Sequence, residues 1–243
     1  MKSKTILFIS LLFLLIINGC KKKEETEKPV QETGSVTDVS GITYQTVKIG
    51  SQWWMAEDLR TTKYRDSSFI PLAIQDTTWG HATAGAYCNI LNSQGIVIGK
   101  FYNWEAVNDS RGIAPAGWHI PSDNEWKVLE EYLGMSQGDA DGTGWRGTHE
   151  GEQMKVERGA TFGWAEYATV WSTNESGFSA VANGCRMFDG TMGNPGQSAT
   201  GFWWTSTSHG NEAWYRYLDY KNANVFRYYG LKNYGFSVRC VKD

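Results

Sequence analysis

Hydrophobic and polar positions divide the chain into stretches of different period. Ile6 to Ile17 is apolar throughout except at Ser10. That run is too short to span a bilayer, which takes about 20 apolar residues, and has the length of the apolar region of an export signal. From Lys21 to Ser35 the hydrophobic period disappears and charge is dense, which predicts a solvated tether. Ile42 to Ile49 is β-branched and aromatic, Gly50-Ser51 supplies a turn, and Gln52 to Met55, apolar from Trp53 onward, follows. The pattern predicts a hairpin. Ser122 followed by Glu125 is a capping box, and Trp126, Leu129 and Leu133 then recur at helical spacing until Gly134 stops the run. A shorter helix is predicted over Asn103 to Asn108. In the C-terminal half, Phe202 to Thr205, Ala213 to Asp219, Val225 to Tyr229 and Gly235 to Val241 alternate large and small residues between Gly and Asn turns, as short strands do. Early helices and late strands make the fold class α+β. No linker-like composition recurs after Val36, so residues 36–243 read as one domain.

Composition narrows the function classes. The 243 residues carry a net charge of −3, and Gly (27), Trp (12) and Tyr (12) are abundant against 5 Pro. A pI near 5.9 leaves no basic footprint for nucleic acid. Trp and Tyr on glycine-linked strands suit a surface that holds flat or sugar-like ligands. The first 20 residues add an address. Lys2 and Lys4 precede the apolar run, and Asn18-Gly19-Cys20 follows it. This resembles the lipobox of bacterial lipoproteins, which implies removal of residues 1–19, acylation at Cys20 and a tether to residue 35. The implied location is the cell envelope, as an outer-membrane lipoprotein held on the membrane by its lipid. With Cys20 acylated, Cys88, Cys185 and Cys240 remain, enough for at most one internal bridge. Cys185–Cys240 is the expected pair, and three buried free thiols are the alternative.

Several blocks occur in a recognisable order. They are Tyr44 to Leu59, Phe101 to Ala106, Pro115 to Ser122, Gly144 to Thr148, Glu175 to Ala180, Phe202 to Thr207 and Gly235 to Val241. Together they resemble the Fibrobacter succinogenes major paralogous domain over about residues 36–243. That family in turn resembles the C-type-lectin fold, which implies a lectin-like domain with its ligand face on a long loop and the strand that follows. Ala114 and Cys185 stand where the family often has Cys and Tyr, so its disulfide pattern does not transfer.

Candidate chemistry is sparse. Asp139, Asp141, Thr143 and Glu150 fit the ligand positions of an EF-hand loop, with Gly144 at its turn. However, Arg146 occupies the usual apolar position and Gly151 interrupts any exit helix, so no cofactor is expected and calcium is the weaker reading. The four histidines show no zinc-ligand spacing. The polar, glycine-rich stretch from Asp189 and the Trp-rich strands after it combine flat rings with groups that read hydroxyls. The ligand candidates are therefore Asp189, Asn194, Gln197, Trp204, His209, Asn211, Glu212 and Trp214. The expected function is non-catalytic binding or adhesion, with a glycan or a surface protein as ligand. The alternatives are an enzyme related to formylglycine-generating enzymes and a structural component of an envelope, fimbrial or fibre-degrading assembly.

Overall fold

The computed structural model describes residues 31–160, 163–193 and 199–243. The signal segment 1–19, Cys20 and the tether as far as residue 30 lie outside the described residues, as do Asn194 and Gln197.

The described chain opens with β1 (Thr33–Thr37), β2 (Thr43–Ile49) and β3 (Gln52–Met55), then α1 (Asp76–Gly80). The hairpin β4 (Tyr87–Leu91) and β5 (Val97–Tyr102) leads into α2 (Trp104–Val107) and β6 (Trp118–His119). Next come α3 (Asp123–Tyr132), α4 (Gln137–Asp141), β7 (Gly144–Arg146) and α5 (Glu150–Met154). The C-terminal part holds β8 (Cys185–Arg186), β9 (Met192–Gly193), β10 (Thr200–His209), β11 (Glu212–Asp219), β12 (Val225–Leu231) and β13 (Val241–Lys242). One sheet has the order β1-β2-β3-β13-β6 and a second the order β10-β11-β12-β7, with β4-β5 and β8-β9 as two-stranded pairs. Both larger sheets are antiparallel. The helices are short and the strands dominate, within the expected α+β class. Among the described residues no helix is long and apolar enough to cross a membrane.

Two boundaries differ from the sequence pattern. Residues 33–35, expected in the tether, belong to β1 and pair with Val47, Thr46 and Gln45. Just before them Glu32 bonds Lys48 at 2.6 Å and Gln31 donates to the Glu175 carbonyl at 2.8 Å. β1 is an exposed edge strand. Backbone bonds rather than buried side chains hold it, so its sequence reads as a linker. Most of Gly235 to Val241, expected as one strand, changes partner as it runs. Phe236 pairs with Tyr102, Ser237 with Trp203, and the Val238 and Cys240 carbonyls accept from Leu59 and Met55. The segment has the side-chain period of a strand but joins several elements instead of extending one sheet.

The predicted helix α3 forms as its caps dictate. The Ser122 hydroxyl accepts from the Glu125 amide at 3.2 Å, and the Ser122 amide donates to the Glu125 carboxylate at 2.8 Å. At the other end Gly134, with φ +118°, and Met135 donate to the Glu131 and Glu130 carbonyls, which is a Schellman closure. α3 buries Trp126 and Leu129, and the Trp126 ring meets Trp54 at 5.1 Å and Phe178 at 5.5 Å. It also buries Asp123 and Glu130. From the second sheet, Arg216 bonds Asp123 at 2.7 Å and Glu130 at 2.5 Å, Arg227 bonds Asp123 at 2.8 Å, and Arg146 bonds Glu130 at 2.9 Å. Buried charges are tolerated only when paired in this way.

Candidate aromatic and polar ligand surfaces

Strand alternation gives the second sheet two chemically distinct faces. In one cross-strand row Trp203, Arg216 and Arg227 lie opposite one another, and this is the face that receives α3. The neighbouring row is Phe202, Tyr217, Phe226 and Trp145, one ring from each of the four strands. Two residues further along, Trp204, Tyr215 and Tyr228 form a second aromatic row on the same face.

Ring geometry separates what these aromatics can do. Phe202 and Tyr217 are 4.5 Å apart with planes 19° from parallel. Rings that close cannot lie side by side, so they stand on the sheet and present their edges outward. Phe236 and Tyr234 continue the stack at 5.1 and 5.4 Å. Phe226 breaks it, standing 81° from Tyr217. The Trp145 ring lies 67° from Phe226 and 47° from Tyr217, and Trp145 is 36% exposed. The row therefore ends in an indole with accessible surface. Burial and then the nearby Asp219 push the Tyr217 hydroxyl above its ordinary pKa, and burial first pushes Tyr215 up to about 12. Both stay neutral at physiological pH.

Of the expected ligand residues that are described, His209 and Trp214 meet at the β10–β11 turn with their rings 5.2 Å apart, and Glu212 pairs with His209, whereas Trp204 lies apart from them. Trp204 is fully buried, donates to the Tyr102 carbonyl at 2.9 Å and packs on Phe236 at 4.3 Å. It is a core residue because the 235–238 segment is bonded along β10 there, through the Trp204 amide to the Ser237 carbonyl. Trp214 lies on the arginine face, with the Arg227 guanidinium 3.7 Å from its ring centre. His209 stacks on Tyr229 at 4.1 Å and pairs across the β10–β11 turn with Glu212. Asp189 is exposed and closes its own turn, accepting from the Thr191 amide and hydroxyl.

Asn211 lines a cleft of about 370 Å³ together with Ala82, Thr83, Glu105, Leu231, Lys232 and Asn233. A second cleft of about 370 Å³ is more apolar, with Leu72, Ile74, Leu91 and Met192 among its lining residues. All four are substantially exposed. Sequence reasoning missed Trp145, Phe202, Tyr217 and Phe226 as one surface. The period-two spacing of Tyr215 and Tyr217 and of Phe226 and Tyr228 was the available signal. Nothing local to Thr83 or Glu105 announces the polar cleft.

The remaining expectations resolve similarly. Cys185 and Cys240 are not bridged: Cys88, Cys185 and Cys240 are buried free thiols. The Cys185 sulfur instead lies 3.9 Å from that of Met187, and burial pushes its thiol up to about 12. Burial raises Cys88 and Cys240 as well, and such thiols are poor nucleophiles. The calcium pattern is dispersed. Part of the would-be loop is α4, Asp139 accepts from Ser136 at 2.7 Å, Asp141 pairs with Lys127 at 2.7 Å, Thr143 is exposed, and Glu150 accepts from the Thr148 amide at 2.6 Å. Among the described residues no group of three or more His, Cys, Asp or Glu side chains is placed to hold a metal. His119 bonds both Glu125 and Asp243 at 2.7 Å, and the Ser122 hydroxyl donates to Glu125 rather than to the histidine. Burial opposes the imidazolium, but the bonds to Asp243 and Glu125 outweigh it and raise the His119 pKa. The cluster ties the last residue to the start of α3 and activates no nucleophile.

The family model described as the Fibrobacter succinogenes major domain matches residues 47–242. No curated protein and no solved structure matches the chain.

Proposed function

The chain belongs to the Fibrobacter succinogenes major domain family, and on that premise we propose that it is a non-catalytic, lectin-like binding domain for glycans. In this reading it is displayed from the outer membrane by a lipid on Cys20. The observation that carries the proposal is the four-strand row Phe202–Tyr217–Phe226–Trp145, which ends in an exposed indole. A sugar ring places its C–H face on such an indole while its hydroxyls remain available to polar neighbours. Buried cysteines with raised pKa values give the formylglycine-generating alternative no support.

The test is glycan-array binding by the full chain and by Trp145→Ala. The variant is expected to lose binding about fivefold, an aromatic contact being worth about 1 kcal/mol, with its melting temperature unchanged. Binding equal to wild type would remove the site, and a wild-type chain that binds no glycan would remove the reading. The apolar cleft at Leu72, Ile74, Leu91 and Met192 favours a second reading, a component that docks into a larger envelope assembly.

A further inference from the structure

We infer that the cleft between Thr83, Glu105 and Asn211 is a hydroxyl-reading subsite for a single saccharide residue, separate from the aromatic row. The inference rests on the glycan reading and names the part of the ligand that this second surface would take.

The cleft walls come from chain segments far apart in sequence, and hydrogen bonds pin those segments together. The Trp104 amide donates to the Lys232 carbonyl at 2.8 Å, and the Trp79 indole donates to the Asn233 carbonyl at 2.7 Å. Asn103 donates to the Ala84 carbonyl at 2.9 Å and accepts from the Ala86 amide at 2.8 Å. The Lys232 ammonium reaches the Gly210 carbonyl at 3.1 Å, next to Asn211, and sits 4.4 Å from the centre of the Trp104 ring. Against this fixed frame, the Thr83 hydroxyl, the Glu105 carboxylate and the Asn211 amide make no hydrogen bond with any other described residue. A rigid frame lined by uncommitted polar groups lowers the ordering cost of binding. The volume of about 370 Å³ falls within the roughly 300–1,000 Å³ usual for small-ligand sites.

The mixture of groups selects the ligand class. Glu105 only accepts when ionised, Lys232 only donates, and Asn211 and Thr83 do both. An anion would face Glu105, and an ammonium would face Lys232. A divalent cation would find one carboxylate beside an ammonium, against the several oxygen ligands it needs. Ala82 and Leu231 are the only aliphatic side chains in the lining, too few to hold an apolar ligand. Adjacent hydroxyls both donate and accept, so a neutral sugar residue can satisfy carboxylate, amide and ammonium together.

The experiment is a titration of the isotope-labelled full chain with the methyl glycosides of glucose, galactose, mannose and N-acetylglucosamine, followed by amide NMR. At least one glycoside is expected to give saturating shifts at Thr83, Asn211 and Asn233. Glu105→Ala should weaken that binding about tenfold, the loss of a hydrogen bond to a charged group. Glu105→Gln, which keeps the shape, should weaken it severalfold. Saturating shifts with undiminished affinity in both Glu105 variants would overturn the subsite. If array binding depends on Trp145 while all four glycosides leave the cleft amides unmoved, the subsite falls and the glycan reading stands. If the wild type binds nothing on the array and none of the glycosides, both fall.

Discussion

At the scale of single residues, the chain spends its charged side chains in two different ways. Arg146, Arg216, Arg227 and Arg239 are buried and function as fixed donors. The Arg239 guanidinium, for example, bonds Asp58 at 2.6 Å, whose carboxylate also accepts from Trp203 and Asn183. Asp123 is the shared acceptor of Arg216 and Arg227. Burial disfavours its charge, but the two guanidiniums outweigh burial and hold it well below the usual carboxylate range. A depressed folded pKa contributes stability that is complete above the unfolded value, near 4, and is lost as pH falls through the folded one. Unfolding stability should therefore drop on acidification below about pH 4. Asp123→Asn should cost about 3 kcal/mol at pH 7, as the loss of one partner from a buried pair does, and should flatten that acid slope. Urea denaturation of both proteins at pH 7 and pH 3 measures this. A variant as stable as wild type at pH 7 would mean that Asp123 does not hold the arginines.

At the scale of elements, α3 depends on its two ends and one side. Its apolar residues are few: within Asp123–Tyr132 only Trp126 and Leu129 are buried hydrophobics. The capping box at Ser122 and the Gly134 closure therefore matter more than they would in a longer amphipathic helix. Ser122→Ala removes the acceptor for the Glu125 amide and should destabilise the domain by about 1 kcal/mol. Chemical denaturation reads the change, and a loss under about 0.3 kcal/mol would show that tertiary contacts alone hold that end. Neither cap is remote from the sequence, since Ser122, Glu125 and Gly134 are local signals for local bonds. The second sheet is different. The alternation within β11 and β12 was legible, but which strand lies beside which was not. Trp145 joins the aromatic row only because β7, nearly 80 residues before β12, pairs with it at Phe226↔Trp145.

At the scale of the whole molecule, the family match over residues 47–242 runs from within β2 to β13 and leaves β1 and Cys20 outside it. The anchor is therefore a separate hypothesis with a separate test. Labelling with a palmitate analogue should mark the wild-type chain and not Cys20→Ala, and equal labelling would remove the lipid anchor. The sequence by itself determined what depends on neighbours in the chain: the β2–β3 hairpin, the capped α3, the α+β class and the ordered blocks of the family. Only the tertiary structure decided what depends on distant pairing. It placed Trp204 in the core, left Cys185 and Cys240 as free thiols, brought His209 to Trp214, and brought Thr83, Glu105 and Asn211 to one cleft. The physical reason is that caps and turns are satisfied within a few residues, whereas burial and side-chain convergence are set by which remote segment covers each position.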